Sequence, residues 1–254
     1  MLNKILESKK NELRELILPE DKKLPRYSFY DALKSPKRDL ALIAEVKKAS
    51  PSKGLIKENF QPIDIALSYE KGGADCLSVL TDEPFFQGKR EYLTAIKENV
   101  KLPILRKDFI IDHIQIEEAK RIGADAILLI GEALEPTLLK ELYDHATELR
   151  LDVLVEVHAQ DVLESVLKVL TPRILGVNNR NLKTFEVNIE QLADMASLIP
   201  TDTLLVSESG LYTNEDLVQV KKYGAKAVLI GESLMRKDDQ IIAIKQLFGE
   251  SVHV

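Results

Sequence analysis

Apolar runs rich in Val, Ile and Leu recur along this chain, each followed by a polar or glycine-bearing turn and then a stretch with helical spacing of its apolar residues. Eight runs can be traced, over residues 40–47, 76–80, 103–107, 126–130, 152–157, 174–178, 204–208 and 227–230. Helices are predicted over 62–71, 90–98, 113–122, 136–149, 160–169, 189–198, 214–223 and 239–248. Strands that alternate with helices form a parallel sheet, because each helix carries the chain back to the end from which the last strand started.

A faint internal repeat reinforces the count. Gly73-Ala74-Asp75-Cys76, Gly123-Ala124-Asp125-Ala126 and Gly224-Ala225-Lys226-Ala227 each stand between a helix and a strand, where a glycine suits the helix end. Eight such units, with no Gly-x-Gly-x-x-Gly turn after the first strand, predict a closed (βα)8 TIM barrel rather than an open doubly wound sheet. The expected domain organisation is a single barrel over residues 1–254, with residues 1–38 as an N-terminal helical extension. In that extension Leu2, Ile5, Leu6, Leu13, Leu16 and Ile17 share a face that should dock on the barrel, either as a plug for one end or as a lid over the active site.

Alternate residues of a strand point to opposite faces, so one parity faces the barrel interior and the other the helices. If Ile43 points inward, Glu45 and Lys47 point inward with it at the strand's C-terminal end. The same parity aligns Leu105 with Lys107, Leu154 with Glu156, Gly176 with Asn178 and Arg180, and Val206 with Glu208. Five strands therefore end in an inward polar or charged residue, at the end where barrel active sites are built. Burying unpaired charge is costly enough that folding alone would avoid the arrangement, although a structural ion-pair network would also account for it. Other chemistry-bearing residues read as structural: Cys76 as a small buried hydrophobe, His158 as a loop residue, Glu117 and Glu118 as a solvated helix face, Tyr92 and Tyr143 as packing residues.

Composition narrows the function classes. A chain of 254 residues, 45% hydrophobic and 30% charged, can bury one large core, and its net charge of −6 supplies no global field for nucleic acid or an anionic membrane. No apolar run approaches the length of a membrane span, and Met1 is not followed by a signal-peptide pattern, so a cytoplasmic protein is expected. The single Cys76 cannot form an internal disulfide, and the four histidines are too scattered for a zinc site; no metal site is expected.

Any anion must then be held locally. Ser207-Glu208-Ser209-Gly210 follows the seventh strand and Gly231-Glu232-Ser233 the eighth. Glycines at both turns let backbone amides converge on a phosphate, where barrels frequently hold one. Ser50 and Lys47 from the first unit should lie beside the eighth strand once the barrel closes.

These residues resemble a known family. Ile43-Ala44-Glu45-Val46-Lys47-Lys48-Ala49-Ser50-Pro51-Ser52 looks like the signature of indole-3-glycerol-phosphate synthase, the ring-closing lyase of tryptophan biosynthesis. Phe85-Phe86-Gln87-Gly88, Leu105-Arg106-Lys107-Asp108-Phe109, Leu154-Val155-Glu156-Val157-His158, Gly176-Val177-Asn178-Asn179-Arg180 and Ser207-Glu208-Ser209-Gly210 extend the likeness over nearly the whole chain. The resemblance implies conversion of 1-(2-carboxyphenylamino)-1-deoxyribulose 5-phosphate to indole-3-glycerol phosphate, with loss of carbon dioxide and water and without a cofactor. It implies Lys107 as the general acid, Glu156 as donor of the hydroxyl's proton with Glu45 nearby, and Lys47 contacting substrate carboxylate or phosphate. Asn178 and Glu208 would hold sugar hydroxyls or catalytic side chains, and Arg180 the anthranilate carboxylate. Phe86, Phe109 and Leu182 would wall the aromatic ring; Ser50, Ser209, Gly210, Gly231 and Glu232 would surround the phosphate.

Two positions depart from the family pattern. Glu232 replaces a small residue, and its carboxylate would repel a phosphate dianion unless it points to solvent; Asn181 replaces an aspartate. The small phosphorylated substrate is the expected partner, with the chain a monomer or weak homodimer and no isomerase domain fused to it. Two competing readings are another phosphate-binding barrel, such as the phosphoribosylanthranilate isomerase of the same pathway, and a catalytically silent ligand-binding barrel. The first would need a Cys/Asp pair where Glu45, Lys47 and Glu156 stand; the second should have lost its strand-end acids and bases.

Overall fold

The computed structural model describes residues 1–180 and 186–251. The chain enters through α1 (Leu2–Glu15) and α2 (Phe29–Lys34) and forms β1 (Ala41–Val46), a hairpin of β2 (Ala49–Ser50) and β3 (Gly54–Leu55), and α3 (Pro62–Lys71). Next come β4 (Cys76–Leu80), the short α4 (Glu83–Phe86), α5 (Arg90–Asn99), β5 (Ile104–Lys107), α6 (His113–Arg121), β6 (Ala126–Ile130) and α7 (Pro136–Glu148). The remaining units are β7 (Asp152–Val157), α8 (Gln160–Leu167), β8 (Ile174–Asn178), α9 (Gln191–Ala196), β9 (Leu204–Glu208), α10 (Asn214–Lys222), β10 (Ala227–Ile230), α11 (Glu232–Met235) and α12 (Gln240–Leu247). β1 pairs with both β4 and β10, matching Ile43 to Cys76 and Ala41 to Ala227, so eight parallel strands close into a barrel with no edge.

Strand parity sorts the apolar residues into two cores. Ile43, Cys76, Leu105, Leu154, Val206 and Leu229 fill the barrel, whereas Leu42, Val79, Val155 and Val228 face the helices. Cys76 is fully buried, as its sequence context suggested.

The two helices of the N-terminal extension lie at opposite ends of the barrel. Phe29 and Leu33 of α2 are fully buried among the interior side chains and plug the N-terminal end of the barrel. Aspartates at the strand starts tie this segment down. Asp75 accepts hydrogen bonds from the Lys37 and Leu42 amides at 2.9 and 2.8 Å, Asp125 from Tyr27 at 2.8 Å and Asp152 from Tyr30 at 3.0 Å. Two of these are the aspartates of the Gly-Ala-Asp repeat. The repeat therefore does more than end helices.

α1 lies at the opposite end, where Met1, Leu2 and Ile5 line the mouth. Its docking differs from the expected apolar face: the buried residues are Ile5 and Lys9, while Ile17 is 85% exposed because the chain leaves the helix after Glu15 in an extended conformation. Lys9 Nζ lies 2.9 Å from both Asp82 and Asp108, each buried. Burial opposes the Lys9 charge, but the two carboxylates outweigh it and raise its pKa; the same ammonium, with Arg106, overcomes burial to hold Asp108 below the usual carboxylate range. A second correction lies next to it. Glu118 is 1% exposed, not solvated, and pairs with Arg106 at 2.7 Å and with Arg90.

Candidate active site

The inward charges converge at the C-terminal mouth of the barrel. Lys107, at the end of β5, pairs closely with Glu156 at the end of β7 and lies 3.2 Å from Glu208 at the end of β9. The Asn178 amide, from β8, donates to Glu156 Oε1 at 3.1 Å. Across the barrel Glu45 and Lys47 form their own ion pair, with Glu45 close enough to reinforce the Lys107 charge. Both glutamates around Lys107 are buried, and the lysine side chain is 14% exposed.

The electrostatics separate the two carboxyls. Burial acts to raise the Glu156 pKa, but the Lys107 ammonium overcomes it and lowers the group to about 2. For Glu208 burial and then the Glu156 charge push the pKa well above the ordinary value, and Lys107 at its longer distance does not restore it. Burial also works against the Lys107 ammonium, yet Glu156, Glu208 and Glu45 together raise its pKa. The two carboxyls are thus driven apart: Glu156 keeps its charge beside Lys107, while Glu208 holds a proton more tightly than an ordinary carboxyl.

The rest of the mouth divides into two ends. Phe86 and Phe109 face each other with ring centroids 6.0 Å apart, and with Leu2 and Ile5 they make an apolar wall. Asp82 accepts hydrogen bonds from the Phe85 and Phe86 amides at 2.9 and 3.2 Å, and Asp108 from the Phe109 amide at 2.8 Å. Lys9, bridging Asp82 and Asp108, thus joins the two loops that carry the rings.

The other end is lined by Ser50, Ser209, Gly210, Gly231 and Glu232. Ser209 and Gly210 both have positive φ, 69° and 78°, which turns the loop after β9 back toward the cavity. A Cβ on Gly210 would stand 2.1 Å from Val187, so only glycine fits this turn without displacing that side chain. Glu232 does not point to solvent: its carboxylate pairs with Arg236 at 3.0 Å and Lys53 at 3.6 Å, which cancels the repulsion expected from its charge. Arg180 lines the same cavity, and its backbone amide donates to Asn178 Oδ1 at 3.1 Å. Leu182 and the Asn181 departure lie outside the described residues.

Every described site residue named from the sequence thus lines one cavity. His158 was missed. It lies at this cavity, 9% exposed, with its ring 3.5 Å from Glu156. The second missed residue is Lys9, a charge at a helical position flanked by apolar ones.

The model of the indole-3-glycerol phosphate synthase family matches residues 2–247. The chain belongs to that family. A relative from Priestia megaterium named indole-3-glycerol phosphate synthase is 63% identical, the match covering 99% of this chain and 98% of its own. One of the same name from Bacillus pumilus is 62% identical over 98% of this chain and all of its own. Among solved structures, a tryptophan synthase α-subunit from Pyrococcus furiosus superposes with a TM-score of 0.62 at 15% identity, covering 84% of this chain and 99% of that one. A 3-hexulose-6-phosphate synthase gives 0.63 at 15% identity, covering 83% and 99%. At that identity the structures speak for the barrel alone, and the barrel agrees. As a member of the indole-3-glycerol phosphate synthase family the chain is a carboxy-lyase of tryptophan biosynthesis acting on a small phosphorylated substrate. Neither the isomerase nor the silent-barrel alternative is favoured.

Proposed function

We propose that Lys107 is the general acid of ring closure, on the strength of its position between two buried glutamates at the mouth. The aromatic carbon bearing the carboxylate attacks the keto carbon of 1-(2-carboxyphenylamino)-1-deoxyribulose 5-phosphate, and Lys107 protonates the oxygen as it gains charge. Loss of carbon dioxide restores the aromatic ring. Dehydration then needs an acid for the hydroxyl and a base for the neighbouring methylene proton. The family resemblance implied Glu156 as that acid. The directions of the two shifts favour the reverse: Glu208, whose pKa is raised, serves the hydroxyl, and Glu156, whose pKa is lowered, takes the methylene proton.

Asn178 orients Glu156, and Glu45 sustains the Lys107 charge and positions Lys47. Lys47 and Arg180 meet the substrate's anions, a planar carboxylate suiting the guanidinium. Phe86 and Phe109 wall the aromatic ring, with Leu182 as a further candidate. Ser50, Ser209, Gly210 and Gly231 receive the phosphate, with Glu232 beside them. The same reading has the protein cytoplasmic, in keeping with its one cysteine, and a monomer or weak homodimer.

The test is turnover followed by indole fluorescence. Lys107→Ala should lower kcat by about 10²–10⁴-fold while substrate still binds. Near-normal turnover would remove Lys107 as the principal acid.

A further inference from the structure

The His158 ring spans the gap between the site and a carboxylate with no role in the reaction as described. Glu132, in the turn after β6, accepts the amides of His158 and Ala159 through Oε1 at 2.7 and 3.1 Å. Its Oε2 lies 3.1 Å from His158 Nδ1. An ionised carboxylate so held accepts the Nδ1 proton and fixes the tautomer. The Nε2 lone pair is then left facing Glu156 Oε1 at 3.5 Å, and Nε2 is buried with no hydrogen-bond partner. Gln191 of α9 clamps the His158 carbonyl from the other side. The charged groups facing the imidazole are therefore Glu132 from the β6 turn and Glu156 from β7, with Lys107 beyond Glu156.

The geometry points to His158, backed by Glu132, as a proton relay and positioning residue for Glu156. This rests on Glu156 being the base of the dehydration. When the methylene C–H bond breaks, its electron pair forms the new ring double bond and the proton passes to Glu156. Glu156 hands it to His158 Nε2, and Glu132 stabilises the imidazolium. The proton returns through Glu156 to the Lys107 amine, which gave its own to the keto oxygen during ring closure. Glu208, having protonated the departing hydroxyl, recovers one proton from water. One proton is then consumed per turnover, which is what loss of a carboxylate as neutral carbon dioxide requires.

The experiment measures kcat, KM and the solvent deuterium isotope effect against pH for the whole protein and for His158→Gln, Glu132→Gln and Glu156→Gln. His158→Gln should lower kcat on the order of tenfold, less than the loss of a group touching the reacting atoms, with KM within about twofold. It should also enlarge the isotope effect. Glu132→Gln retains a side chain able to hydrogen-bond but removes the charge that stabilises the imidazolium, and should reproduce part of the loss in kcat and part of the change in isotope effect. Unchanged profiles and isotope effects in both variants, or a kcat loss that merely follows the folded fraction, overturn the relay. Glu156→Gln separates the two ideas. If it is inactive while the His158 and Glu132 variants behave as the parent, the relay alone fails; if it retains full turnover, the role of Glu156 fails first.

Discussion

Gly176 leaves open the space that the Glu208 carboxylate fills: a Cβ at residue 176 would stand 2.1 Å from Glu208 Oε1 and 3.3 Å from Leu154. The two residues lie on adjacent strands, so the smaller sets the position of the acid on the larger. Gly176→Ala should force Glu208 away from Lys107, lowering kcat by about 10–100-fold. The overpacked interior should cost roughly 1–3 kcal/mol in a urea titration. A kcat within about twofold of the parent would mean that the reaction does not depend on where Glu208 sits.

The raised pKa of Glu208 makes a prediction about pH. Burial first and the Glu156 charge second raise its pKa, so kcat should fall on the alkaline side as its proton leaves. Glu208→Gln should abolish that limb and lower kcat by about 10²-fold. For stability the sign is the opposite of a normal carboxylate. The native state holds the proton more tightly than the unfolded chain, so Glu208 costs stability as pH rises above the unfolded value of about 4.3. Glu208→Gln should therefore be less active and, at neutral pH, more resistant to urea. Equal or lower stability would contradict the assignment of the proton.

Much of this was legible in the primary structure for a physical reason. Barrel strands must alternate, so Glu45, Lys107, Glu156 and Glu208 could be placed inward from single neighbours such as Ile43 and Leu105. What parity cannot supply is distance. That Lys107 bridges Glu156 and Glu208, and that their pKa values are pushed in opposite directions, follow from contacts between strands far apart in the chain. Lys9 and Glu118 were hidden because a charged residue on an amphipathic helix is ordinarily solvated; Asp82 and Asp108 reach Lys9 from other units, and Arg106 reaches Glu118 from the strand before its helix. Arg106 carried the missed signal, a charge at a strand position of helix-facing parity. His158 lay one residue past its strand, where periodicity stops giving direction.

Lys9 should be the residue that couples stability to substrate binding. Lys9→Met fills similar volume but leaves Asp82 and Asp108 buried without their ammonium, at a cost of about 3–5 kcal/mol. Because Asp108 is held below the carboxylate range, the stability it contributes is present above the unfolded value of about 3.9 and is lost as pH falls toward its lower folded pKa. The gap in unfolding free energy between parent and variant should accordingly narrow between neutral pH and about pH 3. With the Phe86 and Phe109 loops released, KM should rise more than kcat falls. A constant stability gap, or an unchanged KM, would show that α1 docks without help from this ion pair.

Glu232 provides the remaining test, at the phosphate end. Its carboxylate holds Arg236 at 3.0 Å and Lys53 at 3.6 Å, so the site carries a negative charge that is already paired. Replacing it with serine removes a partner from Arg236 and from Lys53, which lines the cavity, and adds a hydroxyl where Ser50 and Ser233 also line it. Glu232→Ser should leave phosphate affinity unchanged or tighten it by up to about fivefold, with any gain fading at high ionic strength because the freed cations are part-exposed. Inhibition by inorganic phosphate, measured at low and high salt, reads this directly. A loss of about tenfold or more would mean that the carboxylate is needed to hold Lys53 and Arg236 in place, and that the ion pairs shape the site more than they neutralise it.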